Sequence, residues 1–369
     1  MTKIIKLSDR WLALAIIVTL AITPTACNRS QPPNTEGEKK PAQQSAHYFR
    51  QQFDYFSTVI DVQLDQTDQQ TADTAFAKLE TLFAQWHRDW DAWGDGALGQ
   101  INQTLQSGNT VTIPNDLLPL FHRARDISNK SLGYFGPETG AVVQLWGFDD
   151  SERTLSAPPD TSAVIQLMDR TPRFADMAWD DDCLVVNDKD NVTIQLDFGG
   201  FIKGAAVDAA IEQLRQLDIN NAIVNTGGDL RAMGQRHDRP WRVGIKHPRA
   251  NTIFASVAIH HDETVFTSGD YERFFEADGR RYHHILDPHN GWPSQGLVSA
   301  TVLGKQGAYS DAAATALMAA GKARWQEVAD SMKLHLVMVI DDQGTVYLTK
   351  AMQARLQFES PDHTIEIIN

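Results

Sequence analysis

The chain has 369 residues, 42% of them hydrophobic and 22% charged, the balance of a globular protein with one large domain or two ordinary ones. Such a composition excludes disorder throughout, a collagen-like fibre and a multi-spanning membrane protein. A formal charge of −14, from 33 Lys and Arg against 47 Asp and Glu, argues against a nucleic-acid binder, and two cysteines cannot build a disulfide framework or a cysteine-rich zinc site.

Lys3, Lys6 and Arg10 precede an apolar run from Trp11 to Ile22, then the small residues Thr25-Ala26, then Cys27. The run falls short of the ~20 apolar residues of a membrane span, so residues 1–26 read as a secretory signal. A cysteine directly after the small residues resembles a bacterial lipobox, with Pro24 where Leu is usual. Cys27 is then the lipidated first residue, and a plain cleaved signal leaving a free thiol is the alternative. Residues 27–46 contain three prolines and no apolar period, which predicts a flexible tether, and residues 47–369 form the folded domain. With Cys27 lipidated, Cys183 has no partner in the chain and is expected as a buried structural thiol.

Within that domain, Phe76, Leu79, Leu82, Phe83, Trp86 and Trp90 recur at helical spacing between Thr71 and Trp93, and Leu117 to Leu132 repeats the pattern. Gly94 to Gly99 matches G-x-G-x-x-G, but a helix rather than a strand precedes it, so it reads as a loop. Val192, Ile194, Leu196 and Phe198 suggest a strand that runs through Gly199-Gly200 into a helix bearing Ala206, Ala210, Leu214 and Leu217. Further strands are expected at Ala222 to Asn225, Trp241/Val243/Ile245, Ala255/Val257/Ile259, Leu297 to Leu303 and Leu334 to Ile340, with a helix at Asp311 to Ala320. Clustered strands with interspersed helices predict an α+β fold of mixed, mostly antiparallel sheets with flanking helices.

Four segments hold polar residues that packing does not require. Asp197 to Asp208 (DFGGFIKGAAVD) leads a strand through two glycines into a helix with Lys203 near its start, where free N–H groups, the helix dipole and an ammonium suit a phosphate. Asn225 to Leu230 (NTGGDL) is a second glycine-rich strand end. Thr267 to Arg273 (TSGDYER) is followed by His283 to Gly291 (HHILDPHNG), where His284 and Asp287 precede a Pro/Gly turn, a common place for a catalytic base. Zinc is the weaker reading of the paired histidines, since no further Cys or His falls at ligand spacing. In Ser310 to Ala316 (SDAAATA), Asp311 and Thr315 lie four apart on one helix face and offer oxygen ligands to magnesium, while a helix start capped by Ser310 is the plainer alternative.

Taken in order, DFGGFIKGAAVD, NTGGDL, TSGDYER, HHILDPHNG and SDAAATAL resemble the FAD:protein FMN transferases, the ApbE-type flavin transferases, from about Phe56 to Gly321. The resemblance implies a T-fold-like architecture and a periplasmic or membrane-anchored, magnesium-dependent enzyme. Such enzymes move the FMN part of FAD to a Thr or Ser hydroxyl of a target protein and release AMP. It further implies an acceptor that is a membrane electron-transfer subunit with a Thr-containing motif, and a membrane-anchored lipoprotein facing the periplasm.

By position, Asp311, Thr315 and the Gly200 carbonyl would hold magnesium. Asp197, Lys203, Phe56, Trp93, Ile285 and the stretch Tyr134, Phe135 and Gly136 would contact FAD. His284 matches the histidine of H-x-x-D-P and would take the proton of the incoming hydroxyl, oriented by Asp287. The first half departs from the family pattern: Phe56-Ser57-Thr58 replaces M-G-T, Gly94 to Asn102 lacks S-E-L, Gly136 stands where Asp is common, and Asn290 replaces a Thr. An FAD pyrophosphatase, a non-catalytic FAD-binding lipoprotein and a metal-dependent phosphatase are the competing functions.

Overall fold

Nine strands form one sheet whose order in space follows the chain: β1 (His47–Tyr55), β2 (Thr58–Thr67), β3 (Ala222–Thr226), β4 (Asp229–Met233), β5 (Glu263–Gly269), β6 (Leu297–Gly304), β7 (Val337–Asp341), β8 (Val346–Thr349) and β9 (Ile365–Ile368). Every pairing is antiparallel except β8 with β9, so the α+β expectation holds. The computed structural model describes residues 47–150, 153, 155–186, 192–360 and 363–368. The signal, Cys27 and the tether lie outside these residues. Among those described, no helix is long and apolar enough to cross a membrane.

Both faces of the sheet are covered, and strand alternation decides what covers them. On β7, Val337 and Val339 point to a layer of helices, while Met338 and Ile340 point to a small antiparallel sheet of Trp241–Lys246, Ile253–Ile259 and Leu356–Phe358. On the helical face lie α1 (Gln69–Asp89), α2 (Gly199–Arg215) and α3 (Gly307–Ser331). Ile60, Val62 and Leu64 of β2 bury themselves against α1 and α2. Asp68 caps α1 by accepting the Thr71 N–H at 3.0 Å.

Helix α3 owes its position to its small residues. Ala312, Ala313, Ala314 and Ala316 are wholly buried, and α3 meets α2 where Gly204 faces Gly307. A side chain on either glycine would run into the other helix's backbone, so only glycine lets the axes approach this closely. The start of α3 is capped from α2: the Asp208 carboxylate accepts the N–H groups of Gly307 (2.7 Å) and Ala308 (3.1 Å). Ser310 is therefore not the cap. It lies inside the helix, buried, with its hydroxyl 2.8 Å from that of Thr264.

Three expectations need correction. Gly94 to Gly99 is a loop only as far as Gly96, since the helix Ala97–Gln106 starts at its fourth residue. Val192 to Phe198 is not a strand; beyond one isolated bridge from Gln195 to Thr139, its backbone is satisfied by loops and side chains. Asn102, buried on the helix Ala97–Gln106, accepts the Leu196 N–H (2.8 Å) and donates to the Leu196 carbonyl (2.9 Å), while the Asp197 N–H reaches the Pro137 carbonyl (2.7 Å). A side-chain amide has replaced the neighbouring strand. Cys183 is half-buried rather than buried, because it lies in a three-stranded sheet of very short strands, its sulfur 3.2 Å from the Thr112 hydroxyl.

Candidate active site

Where α2 meets α3, the carboxylate–hydroxyl pair foreseen on α3 faces the glycine turn that opens α2. Asp311, 3% exposed, accepts the Gly204 N–H on Oδ2 at 2.9 Å. Burial pushes its carboxyl up, and Lys203 opposes that shift. One helical turn on, Thr315 lies against Gly200. A Cβ at Gly200 would stand 2.9 Å from Thr315 Cγ2 and 3.0 Å from Oγ1, so glycine is needed to bring this backbone beside the hydroxyl. Gly200 also breaks the helical dihedrals of α2.

A carboxylate and a hydroxyl beside the Gly200 backbone, whose carbonyl would supply a third oxygen, fit a hard cation that keeps part of its coordination for substrate. Among the described residues no three His, Cys, Asp or Glu side chains cluster as metal ligands. The donor set rests instead on one carboxylate and neutral oxygens.

Lys203 borders this set but spends its ammonium on Asp229, the acidic residue of NTGGDL, with which it pairs. Burial works against the charge of Lys203, and Asp229 and Asp311 outweigh it, holding the ammonium above its usual range. The lysine side chain stays 31% exposed, within a ligand's reach. At the start of α2 the Asp197 carboxylate accepts the Gly199 N–H at 2.8 Å, and burial raises its pKa.

His284 is half-buried, and its Nδ1 lies 3.2 Å from the Arg273 carbonyl. A carbonyl only accepts, so Nδ1 carries the proton and Nε2 keeps its lone pair. Burial of the ring lowers its pKa well below 6.5, and the charges of Arg273, His283 and Lys203 push the same way, leaving a neutral imidazole. Lys203 is thus electrostatically close to both His284 and Asp311. The Arg273 guanidinium, bonded to the Phe148 carbonyl at 2.7 Å, also acts on Asp197.

Asp287 does not orient His284. Its oxygens serve its own turn, accepting the His289 N–H (2.9 Å) and the Asn290 amide (2.6 Å), with His289 Nδ1 at 3.0 Å. A short Pro/Gly turn brings a carboxylate onto the residues two and three positions ahead of it, and the orienting role passes to the Arg273 carbonyl. A cavity of about 290 Å³ lies on the Asp287 side, bordered by Asn290, Trp292 and Lys322 rather than by Asp311 or Lys203.

The remaining expected contacts divide. Phe56 sits at the β1–β2 turn with φ +55°, edge-on to His87, and that turn adjoins the Gly227 turn leading to Asp229. Trp93, 36% exposed, follows Ala92, whose carbonyl holds Gln195 and Asn102 beside the Asp197 segment. Tyr134, Phe135 and Ile285 are buried in the main core instead. The Tyr134 ring lies 4.4 Å from that of His289, and the Phe135 ring lies 5.9 Å from that of Phe201.

Gly136 is wedged between Pro288 and Glu138, a carboxyl that sequence reasoning missed. Glu138 is 2% exposed, its Oε2 has no hydrogen-bond partner among the described residues, and burial pushes its pKa up to about 7 against the Phe174 N–H and the Arg173 charge. The folded protein therefore keeps a proton on Glu138 between pH 4.5 and about 7 while the unfolded chain releases it. That contribution to stability is complete below pH 4.5 and lost as pH rises through 7. Glu138→Gln should spare the protein a loss of about 3 kcal/mol between pH 4.5 and 8, read from denaturant midpoints across pH. A gap between the two proteins that does not vary with pH would show that Glu138 is not protonated in the fold.

The α2–α3 junction thus assembles oxygen donors suited to a hard cation, an ammonium beside them and, within the lysine's electrostatic reach, a neutral imidazole. Comparison with known proteins supplies the class. The ApbE family model matches residues 56–340. An FAD:protein FMN transferase of Rhodobacter capsulatus is 35% identical over 309 residues, and the match covers 83% of this chain and 58% of that relative. One of Haemophilus influenzae is 30% identical over 274 residues, with 70% and 76% covered. The ApbE protein of Thermotoga maritima superposes with a TM-score of 0.75 at 26% identity, covering 84% of this chain and 99% of its own. The flavinyl transferase ApbE of Pseudomonas stutzeri, in its apo form, gives 0.72 at 26% identity, with 84% and 96% covered. The chain belongs to the ApbE family.

Proposed function

We propose that this protein is an FAD:protein FMN transferase that moves FMN from FAD to a Thr or Ser hydroxyl of a target protein and releases AMP. The observation that carries this reading is the meeting of Asp311, Thr315 and Gly200 beside Lys203, within the electrostatic reach of His284. Asp311, Thr315 and the Gly200 carbonyl would hold magnesium, which when bound neutralises charge on the pyrophosphate and on the departing AMP.

The residues divide the rest of the work. Lys203 offers its ammonium to a phosphate oxygen while remaining tethered to Asp229. His284 Nε2 takes the proton of the incoming hydroxyl as that oxygen bonds to the FMN-side phosphorus. The bond from that phosphorus to the bridging oxygen breaks, and the bridging oxygen leaves with AMP. The overall charge of −14 repels an anionic substrate, so the local cations offset the protein's general field.

The basic start, the short apolar run and the small residues before Cys27 support an exported lipoprotein, anchored in a membrane and facing the periplasm. Such a position suits an acceptor that is a membrane electron-transfer subunit with a Thr-containing motif. The test is mass spectrometry of such an acceptor after incubation with FAD, magnesium and this protein. A covalent FMN adduct together with free AMP is expected; free FMN and AMP with an unmodified acceptor would make the protein a pyrophosphatase instead.

A further inference from the structure

Lys203 stands between two buried carboxylates and is paired with one of them. It immediately precedes Gly204, whose N–H is bonded to Asp311, yet its ammonium is bound to Asp229. Asp229 is fixed for this purpose. It is 6% exposed, opens β4 directly after the Gly227-Gly228 turn, and its carbonyl accepts the Thr226 hydroxyl at 3.0 Å. Its Oδ1 accepts the Thr267 N–H of β5 at 2.9 Å, which leaves Oδ2 for the lysine. The next residue of β5, Ser268, lies 3.2 Å hydroxyl to hydroxyl from Thr315. One strand thus braces both the partner of the lysine and an oxygen of the expected cation site.

An ammonium and a divalent cation are alternatives at a carboxylate. We propose that Asp229 is a positioning residue that holds the Lys203 ammonium off Asp311 and so keeps that carboxylate open for the cation. The inference rests on Asp311 being a cation ligand. Without the charge on residue 229, the carboxylates still acting on the ammonium are Asp311 and Glu272, and Asp311 is the buried one, braced by the Gly204 N–H. The lysine then occupies the position of the cation.

The test is Mn²⁺ binding to the purified full chain, read by electron paramagnetic resonance of the free ion, with no flavin present. Asp229→Asn should weaken binding about 10-fold or more, the scale on which groups behind a ligand act on a metal. Lys203→Met should bind at least as tightly as the unaltered protein, and the double variant should recover to within about 3-fold of it. A damaged fold would leave the double variant as weak as Asp229→Asn, so recovery separates positioning from mere structure. The inference is overturned if Asp229→Asn binds normally, if Lys203→Met binds more weakly, or if the double variant fails to recover. Equal uptake by Asp311→Ala and the unaltered protein would remove the cation site itself and the inference with it.

Discussion

Asp311→Ala lowers AMP release from FAD in the presence of magnesium by about 10³-fold or more. A bound cation supplies several kcal/mol of transition-state charge stabilisation, and each 1.36 kcal/mol is a factor of ten in rate. Asp311 is the only side-chain carboxylate in the expected donor set, so nothing within that set replaces it. The fold should survive, because the substitution removes a buried carboxyl that desolvation already penalises and forfeits one hydrogen bond from the Gly204 N–H. Asp311→Asn separates the two roles: it keeps an oxygen for Gly204 and loses the charge, and its rate should fall almost as far. Release that persists at the unaltered rate in both variants would take the cation away from this helix.

His284→Ala should lower transfer about 10²–10⁴-fold, the range of a positioned general base. The pH profile carries the sharper information. Burial depresses the imidazole pKa well below 6.5, so the basic form persists as pH falls through that value. The acidic limb of kcat/KM should then lie below pH 6.5, and His284→Ala should abolish it. A limb at or above 6.5 would mean that another group takes the proton. The same depression makes protonation costly to the fold, so stability held by the neutral ring is lost only as pH drops below its ordinary range.

Much of the site was legible because its chemistry lies in local spacing. Asp311 and Thr315 are four apart on a helix, which puts them on one face whatever the rest of the fold does. The glycines of DFGG mark a close approach without naming the partner, and Thr315 fills that part. Strands such as Trp241–Lys246 showed themselves through alternation, since one face of each is buried. The hairpin β1–β2 went unread although Ile60, Val62 and Leu64 alternate, because β1 buries little beyond Phe53 and the connecting turn uses Phe56-Ser57 rather than Asn-Gly.

Contacts distant in sequence left no trace. Val192 to Phe198 alternates like a strand, and only the fold brings Asn102 across to take its hydrogen bonds. Asp287 looked like a partner for His284 by proximity, but its turn claims both oxygens. Arg273 and Asp229 were within quoted motifs, and their roles depend on a carbonyl and an ammonium supplied by other elements. Glu138 carried no periodic or motif signal at all.

The sequential strand order of the large sheet has a kinetic side. Neighbours β3 and β4, and β6 and β7, are near in the chain, but β2 ends at Thr67 and must find β3 beginning at Ala222. Closing so long a loop costs entropy before the seam repays it. The amino-terminal hairpin is therefore expected to dock late, and its amides should exchange with deuterium before those of β5 to β7. Phe56, carried on its tip, would move with it, and because Ile60, Val62 and Leu64 of β2 share one core with α1 and α2, loosening at that margin would also uncover the apolar faces of both helices.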